Sequence, residues 1–319
     1  MKLAVLGCGS IGQRHISNLL ALGESELIAC DVSIEARQAT ATTFGVETVP
    51  TLADVWDWGP QAVLITAPTN MHIRLAQEAA NHGAHLFIEK PLSHSIEGIE
   101  TLSDEADRRG LITMVGCNMR FHPGPATVKR TLESGVVGEV LSSRIQTGSY
   151  LPRWRSQQDY KTSYSASQES GGAILDCIHE IDLATWYLGP AELMGSACLS
   201  ASSLGLKTDG LAEILLRHET GALSSVHLNF VQRDYKRACQ IIGTEGTIYW
   251  DFIRKTVQVF DTSGNLAEEI PEADGWHLNQ MYVDELEHFR DSAALGKETV
   301  NPLSNGLAVL KIALAVRNP

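Results

Sequence analysis

An α/β chain in two parts is predicted: a doubly wound parallel sheet, then an α+β half with a largely antiparallel open sheet. Three observations predict it. Residues 2–117 alternate short, wholly apolar runs with helix-period segments, the pattern of parallel strands covered on both faces. Beyond residue 120 the runs alternate apolar with polar residues and are separated by hairpin-like punctuation. The 319 residues, 44% hydrophobic, supply enough chain for two buried cores.

The elements follow in order. "KLAVLG" (2–7) and "ELIACD" (26–31) read as strands, with helices over 10–23 and 33–45 between and after them. "AVLITAP" (62–68), "HLFIE" (85–89) and "LITMVGC" (111–117) are further buried strands. Helical patterns over 70–83 and 95–110 connect them, stopped by Gly83 and Gly110. A helix over 124–134 leads to an alternating strand over 139–150 and a polar, aromatic loop over 151–170. After the segment "GGAILDCIHEID" (171–182) come strand-like runs over 210–230 and 238–252, with turns at "HETG" and "GTEG". Helical patterns over 277–295 and 303–316 end the chain. The expected domains are 1–120 and 121–319, with the last helix free to pack back on the first.

A formal charge of −13 argues against nucleic acid or an anionic membrane as partner. The six cysteines show no C-x-x-C pair and read as reduced thiols of a cytoplasmic protein. "MKLAVLG" is too short an apolar run for a signal segment, and no stretch reaches membrane-span length.

"GCGSIG" places Gly7, Gly9 and Gly12 as G-x-G-x-x-G directly after a strand and at the start of a helix. Asp31 closes the next strand about twenty residues on, which completes the Rossmann dinucleotide fingerprint. Gly7 permits the turn, Gly9 lets a pyrophosphate approach, and the N–H groups of Ser10 and Ile11 open the helix toward it. The Asp31 carboxylate suits free ribose hydroxyls and repels a 2′-phosphate, so NAD is expected over NADP. Arg37 lies too far along to reverse that preference.

"HLFIEKPLS" puts Glu89, Lys90 and Pro91 at the carboxyl end of a buried strand, where doubly wound sheets bind ligands. In "GGAILDCIHEID", an ideal helix places Asp176, His179 and Glu180 on one face and turns Asp182 toward the apolar side, where it makes a structural hydrogen bond. Metal ligation competes with acid–base use, but H-E-I-D lacks the second histidine of H-E-x-x-H and no cysteine pair supports it. No metal is expected.

These stretches, with "TAPTNMH", occur in the order and spacing of the Gfo/Idh/MocA oxidoreductases, which the chain resembles over most of its length. The resemblance implies that Lys90 contacts substrate and nicotinamide and that the bond before Pro91 is cis. It also implies that the loop with Pro68, Asn70 and His72 lies beneath the nicotinamide, and that Glu89 belongs to the cofactor site. His72 serves equally as a satisfied helix-start residue. The family spaces its aspartate and histidine four apart, whereas Asp176 and His179 are three apart.

The reading is then hydride transfer between nicotinamide and a carbinol or keto carbon of a sugar or sugar derivative, a class that extends to acidic or nucleotide-linked sugars of surface-polysaccharide metabolism. His179 takes the hydroxyl proton, Lys90 polarises the oxygen and Asp176 anchors a neighbouring hydroxyl. Arg120 follows the last strand of the first half, and Arg153, Trp154, Arg155, Tyr160 and Tyr164 form a basic, aromatic group suited to a sugar. A solvated loop or a subunit contact fits that group as well. A retained-NAD enzyme that oxidises transiently and a non-catalytic NAD-binding regulator are the alternatives. A homodimer or homotetramer through the second sheet is expected on resemblance.

Overall fold

Short apolar runs leave most strands of the first half with two faces to bury. In the computed structural model, which describes residues 1–154 and 159–317, they do so in one parallel sheet. Its strands are β1 (Leu3–Leu6), β2 (Leu27–Cys30), β3 (Glu47–Val49), β4 (Ala62–Ile65), β5 (His85–Glu89) and β6 (Thr113–Gly116), in the order β3-β2-β1-β4-β5-β6. The order reverses at β1 and β4, so a crevice opens beyond their carboxyl ends. Helices α1 (Ser10–Ala21), α2 (Ile34–Phe44), α3 (Leu52–Trp58), α4 (His72–Asn81) and α5 (Ile99–Arg109) connect the strands.

The sequence reading passes over β3 and α3, which are three and seven residues long. Such short elements carry too few residues to show a period. α3 instead rests on a capping box: Thr51 Oγ1 accepts the Asp54 N–H at 3.3 Å and Asp54 accepts the Thr51 N–H at 3.2 Å.

Contacts group Met1–Asn118 with Leu278–Leu307, and Met119–His277 with the chain from Ala308 onward. Residues 278–307 therefore join the first unit, where a single cut near residue 120 would have left them in the second. An amphipathic helix does not state which core its apolar stripe completes. In α9 (Gln280–Leu295), Phe289 meets Phe87 of β5 edge-on at 5.6 Å, and Asn279, just before the helix, donates to Asn18 of α1 at 2.7 Å. The next residues cover the outer strand: Thr299 Oγ1 donates to the Thr113 carbonyl and Asn301 Nδ2 to that of Val115.

In the second unit, alternation does the work. α6 (Pro123–Glu133) precedes β7 (Val140–Tyr150), and α7 (Ala173–Asp176) and α8 (His179–Leu188) precede β8 (Ala191–Ser200). Then come β9 (Asp209–His218), β10 (Leu223–Asn229), β11 (Val231–Gly243), β12 (Thr247–Asp251), β13 (Thr256–Phe260) and β14 (Leu266–Pro271). The sheet order is β14-β13-β12-β11-β7-β10-β9-β8, antiparallel except between β7 and β10. One face buries Ile145, Ile214, Leu216, Val226, Ile241 and Trp250 under α6 and α8. The other leaves Glu213, Leu215 and Tyr249 exposed. A buried chain of hydrogen bonds pins the end of α8: His218 Nδ1 donates to the Gly189 carbonyl at 2.8 Å, its Nε2 meets Ser224 Oγ at 2.6 Å, and Ser224 meets Ser143 at 2.7 Å.

His122 starts α6. Its Nδ1 accepts the Gly124 N–H at 3.1 Å, which requires an unprotonated nitrogen. The ring is packed against Trp250, Phe252 and Trp276. Burial first, then the charge of Arg237, pushes its pKa down to about 4, so it stays neutral although a Glu272 oxygen lies 3.7 Å away. Unfolded, it titrates near 6.5. Because the unfolded chain binds the proton more readily, stability is full above about pH 6.5 and is lost as pH falls toward about 4. The expected loss from this group is about 3 kcal/mol. Urea unfolding of wild type and His122→Asn between about pH 7 and 4.5 checks it; parallel pH curves would rule it out.

Candidate active site

The glycine fingerprint is built from two different spatial demands. Gly7 sits at φ +111°, and a Cβ there would come within 2.8 Å of the Ala67 nitrogen and Thr66 carbonyl at the end of β4. A Cβ on Gly12 would overlap the Gly7 carbonyl oxygen, so its absence lets α1 lie against the β1 turn. Gly9 differs: nothing lies within 4 Å of the place a Cβ would take. It is the N-cap of α1 and offers no side-chain cap to the N–H groups that follow, through Ser10, Ile11 and Gly12.

Asp31 directly follows β2, with its carboxylate turned toward this loop. Oδ2 accepts the Cys8 N–H at 2.7 Å and Oδ1 the Ser33 N–H at 2.8 Å. Arg37 donates to the Asp31 and Val32 carbonyls at 2.6 and 3.2 Å, so its guanidinium is held by backbone. Open space over Gly9, an uncapped helix start and a carboxylate at the end of β2 fit a dinucleotide with a free ribose 2′-hydroxyl.

At the end of β5, Lys90 and Pro91 are joined by a cis bond. Glu89 is buried, and both its oxygens are engaged within this unit: Oε1 lies 2.6 Å from His15 Nε2, and Oε2 accepts the Lys90 N–H at 3.1 Å. Pro68 and Asn70 are exposed on the turn before α4. His72 is buried, with Nε2 2.9 Å from the Ala67 carbonyl and Nδ1 3.0 Å from that of Pro91. Burial lowers its pKa, and a neutral ring donates to one of these carbonyls at a time. Of the two roles the sequence left open for His72, this geometry supplies the satisfied helix-start residue.

In the second unit the segment "GGAILDCIHEID" is not one helix. α7 stops at Asp176, Cys177 leaves helical geometry at φ −95°, ψ 30°, and α8 starts at His179. The rule of 100° per residue therefore does not carry from Asp176 to His179, and the expected shared face with Glu180 is corrected. Asp176 and His179 flank the break, each 6% exposed. Glu180 is fully buried and takes the Arg237 Nε of β11 at 2.7 Å. Asp182 is a structural hydrogen-bond partner as expected: Arg120 Nε and Nη2 reach its two oxygens at 2.9 and 2.7 Å. The sequence reading offered Arg120 to the substrate; the structure commits two of its donors to a buried carboxylate, with Trp186 5.4 Å away.

The polar loop is tied to its own unit. Arg153 donates to the Arg233 carbonyl at 3.3 Å, Trp154 Nε1 to Ser149 Oγ at 2.8 Å, and Tyr160 OH to the Leu204 carbonyl at 3.0 Å. Tyr164 is exposed, and Arg155 lies outside the described residues.

Sequence reasoning missed Asp209. Its Oδ2 accepts the Ile174 N–H at 2.7 Å, and its Oδ1 lies 3.2 Å from Arg317 Nε. A Cβ on Gly172 would overlap this carboxylate, which is why a glycine precedes α7. Arg317 also donates to the Gln168 and Glu169 carbonyls at 2.9 and 3.1 Å. The partners are 35 to 149 residues apart, and no local pattern signals them.

Comparison with known proteins agrees with this architecture. Residues 1–117 match the Gfo/Idh/MocA oxidoreductase family, NAD-binding Rossmann fold, and residues 126–249 its C-terminal domain. The chain is 26% identical to scyllo-inositol 2-dehydrogenase (NAD(+)) of Bacillus subtilis (strain 168), over 100% of this chain and 93% of that relative. It is also 26% identical to myo-inositol 2-dehydrogenase of Thermotoga maritima, over 99% and 95%. A solved levoglucosan dehydrogenase, in complex with NADH and levoglucosan, shares the fold with a TM-score of 0.88 at 22% identity, covering 98% of this chain and 95% of that one. Matched in both halves, and with a dinucleotide cradle built as the fingerprint requires, the chain belongs to the Gfo/Idh/MocA family of NAD-binding oxidoreductases.

Proposed function

We propose that the protein is an NAD-dependent dehydrogenase of a sugar or cyclic polyol, interconverting a ring carbinol and the corresponding ketone. The observation that carries the reading is the buried Asp176 and His179 pair at the break between α7 and α8, in a chain whose other unit is an NAD-binding domain. A bound NAD, held at the Gly7–Gly12 loop and Asp31, would supply the hydride acceptor and donor. The chain supplies the proton chemistry and the alignment. The His179 imidazole takes the hydroxyl proton, Lys90 donates a hydrogen bond to that oxygen, and Asp176 accepts from a neighbouring hydroxyl.

The relatives' names, which specify inositols and levoglucosan, support a polyhydroxylated ring as substrate. Arg153 and Arg233 flank the Tyr150 ring at 5.8 and 3.9 Å, and extend the reading to a ring bearing a carboxylate or a nucleotide. The scattered cysteines, with no C-x-x-C pair in the sequence, support a cytoplasmic location. No described helix is long and apolar enough to cross a membrane. The exposed face with Leu215 and Tyr249 supports self-association through the second sheet.

The test is NADH formation against a panel of inositols, anhydrosugars, uronic acids and nucleotide sugars. At least one should reduce NAD. Lys90→Ala and His179→Ala should each lower kcat about 10²–10⁴-fold while leaving the Kd for NAD within about twofold. Near-normal turnover in both variants would overturn the assignment. Substrate conversion without net NADH would replace it with transient oxidation on a retained cofactor.

A further inference from the structure

His15 lies in α1, the helix that begins at the glycine fingerprint, yet it has no part in the proposed chemistry. Its side chain is fully buried. The ring is held edge-on to Phe87 at 5.2 Å and to Tyr282 of α9 at 6.1 Å, which leaves it little rotation. Nε2 lies 2.6 Å from Glu89 Oε1, while Nδ1 has no hydrogen-bond partner among the described residues. The one polar task of this histidine is thus to donate from Nε2 to Glu89.

Glu89 spends its other oxygen on the residue that follows. Oε2 accepts the backbone N–H of Lys90 at 3.1 Å, at the point where β5 ends. A carboxylate has several rotamers available, and an N–H bond to the adjacent residue restrains it weakly. The short bond to a ring that cannot turn selects one rotamer and, through it, one direction for the Lys90 peptide. His72 holds the far side of the same turn through the Pro91 carbonyl.

We infer that His15 and Glu89 form a positioning pair that sets the Lys90 turn for catalysis and ties it to the dinucleotide helix. The inference rests on the role proposed for Lys90. Neither residue touches the substrate in this scheme; both act through Lys90. Misdirecting a group that must meet a reacting oxygen costs rate far more than ground-state affinity.

The experiment is a double-mutant cycle on kcat with the whole enzyme and its best sugar from the panel. His15→Ala should lower kcat about tenfold to a hundredfold, with KM and the Kd for NAD changed less than about threefold. His15→Gln, whose amide nitrogen can reach the same carboxylate, should recover most of that loss. In a Lys90→Ala background the His15→Ala change should cost no further activity, because the group it positions is gone.

Equal losses from His15→Ala in both backgrounds, or no recovery with His15→Gln in a variant that melts normally, would overturn the pair as a positioning device. If Lys90→Ala itself turns over normally, it is the proposed role of Lys90 that fails, and the pair falls with it. If His15→Ala does not fold, the comparison of His15→Gln with Glu89→Gln in the two backgrounds carries the same decision.

Discussion

Arg120→Ala is expected to cost about 3–5 kcal/mol of stability, enough to remove much of the 5–15 kcal/mol available to an ordinary fold. The side chains of Arg120 and Asp182 are 3% and 0% exposed, and two parallel N–H bonds join them. Truncating the arginine leaves an ionised carboxylate in a place water does not reach. The lost attraction is the smaller part of the cost; the stranded charge is the larger. Two companion variants separate those parts. Arg120→Lys keeps the charge but loses the fork and should recover only part of the stability. Arg120→Met combined with Asp182→Leu removes both charges and should be much closer to wild type than Arg120→Ala. Urea unfolding of the four proteins decides the matter, and a loss below about 1 kcal/mol for Arg120→Ala would show that the pair carries little. The result also bears on function, because Asp182 sits three residues after His179 on α8. A stability defect marks Arg120 as the brace of that helix; a rise in sugar KM in a stable variant would return it to the substrate.

Two substitutions in the fingerprint should fail for different reasons. In Gly12→Ala the new methyl meets the Gly7 carbonyl oxygen and comes 2.8 Å from Thr66 Oγ1. A backbone oxygen has nowhere to go, so α1 must lift from the β1 turn. Overpacking of this kind costs about 1–3 kcal/mol, and the moved helix start should weaken NAD binding at least about 100-fold. In Gly9→Ala nothing in the protein is touched. Thermal stability should hold within about 2 °C, while NAD affinity falls at least about tenfold because the methyl fills the approach to the helix start. Calorimetric titration with NAD and thermal melts of both variants test the pair of outcomes. A Gly9→Ala protein that binds NAD normally would remove the pyrophosphate from this position.

The first half of the fold could be read from the chain because its signals are local. Four apolar residues in a row, a glycine that must take a positive φ, and an aspartate at the next strand end each constrain their own backbone within a few residues. Alternation and turn residues likewise gave away β7 and the runs that hold β9 with β10 and β11 with β12, but not β8, β13 or β14. Shorter elements escaped: β3 and α3 have no period to detect, and a threonine–aspartate cap was the only clue. The segment 171–182 misled because periodicity assumes an unbroken helix. The break at Cys177 changes which residues share a face, and the departure from the family's four-residue spacing falls at that same break.

Composition and spacing were thus sufficient for the fold class and the nucleotide fingerprint. Pairing lay beyond them. Arg120 meets Asp182 across 62 residues, Arg237 meets Glu180 across 57, and His15 meets Glu89 across 74. Each arginine had many carboxylates to choose from, and the choice depends on which two become buried together, where an ion left without its partner is too costly to keep. Side-chain type is written in the chain; burial, and with it the partner each charge requires, arises only when distant segments pack.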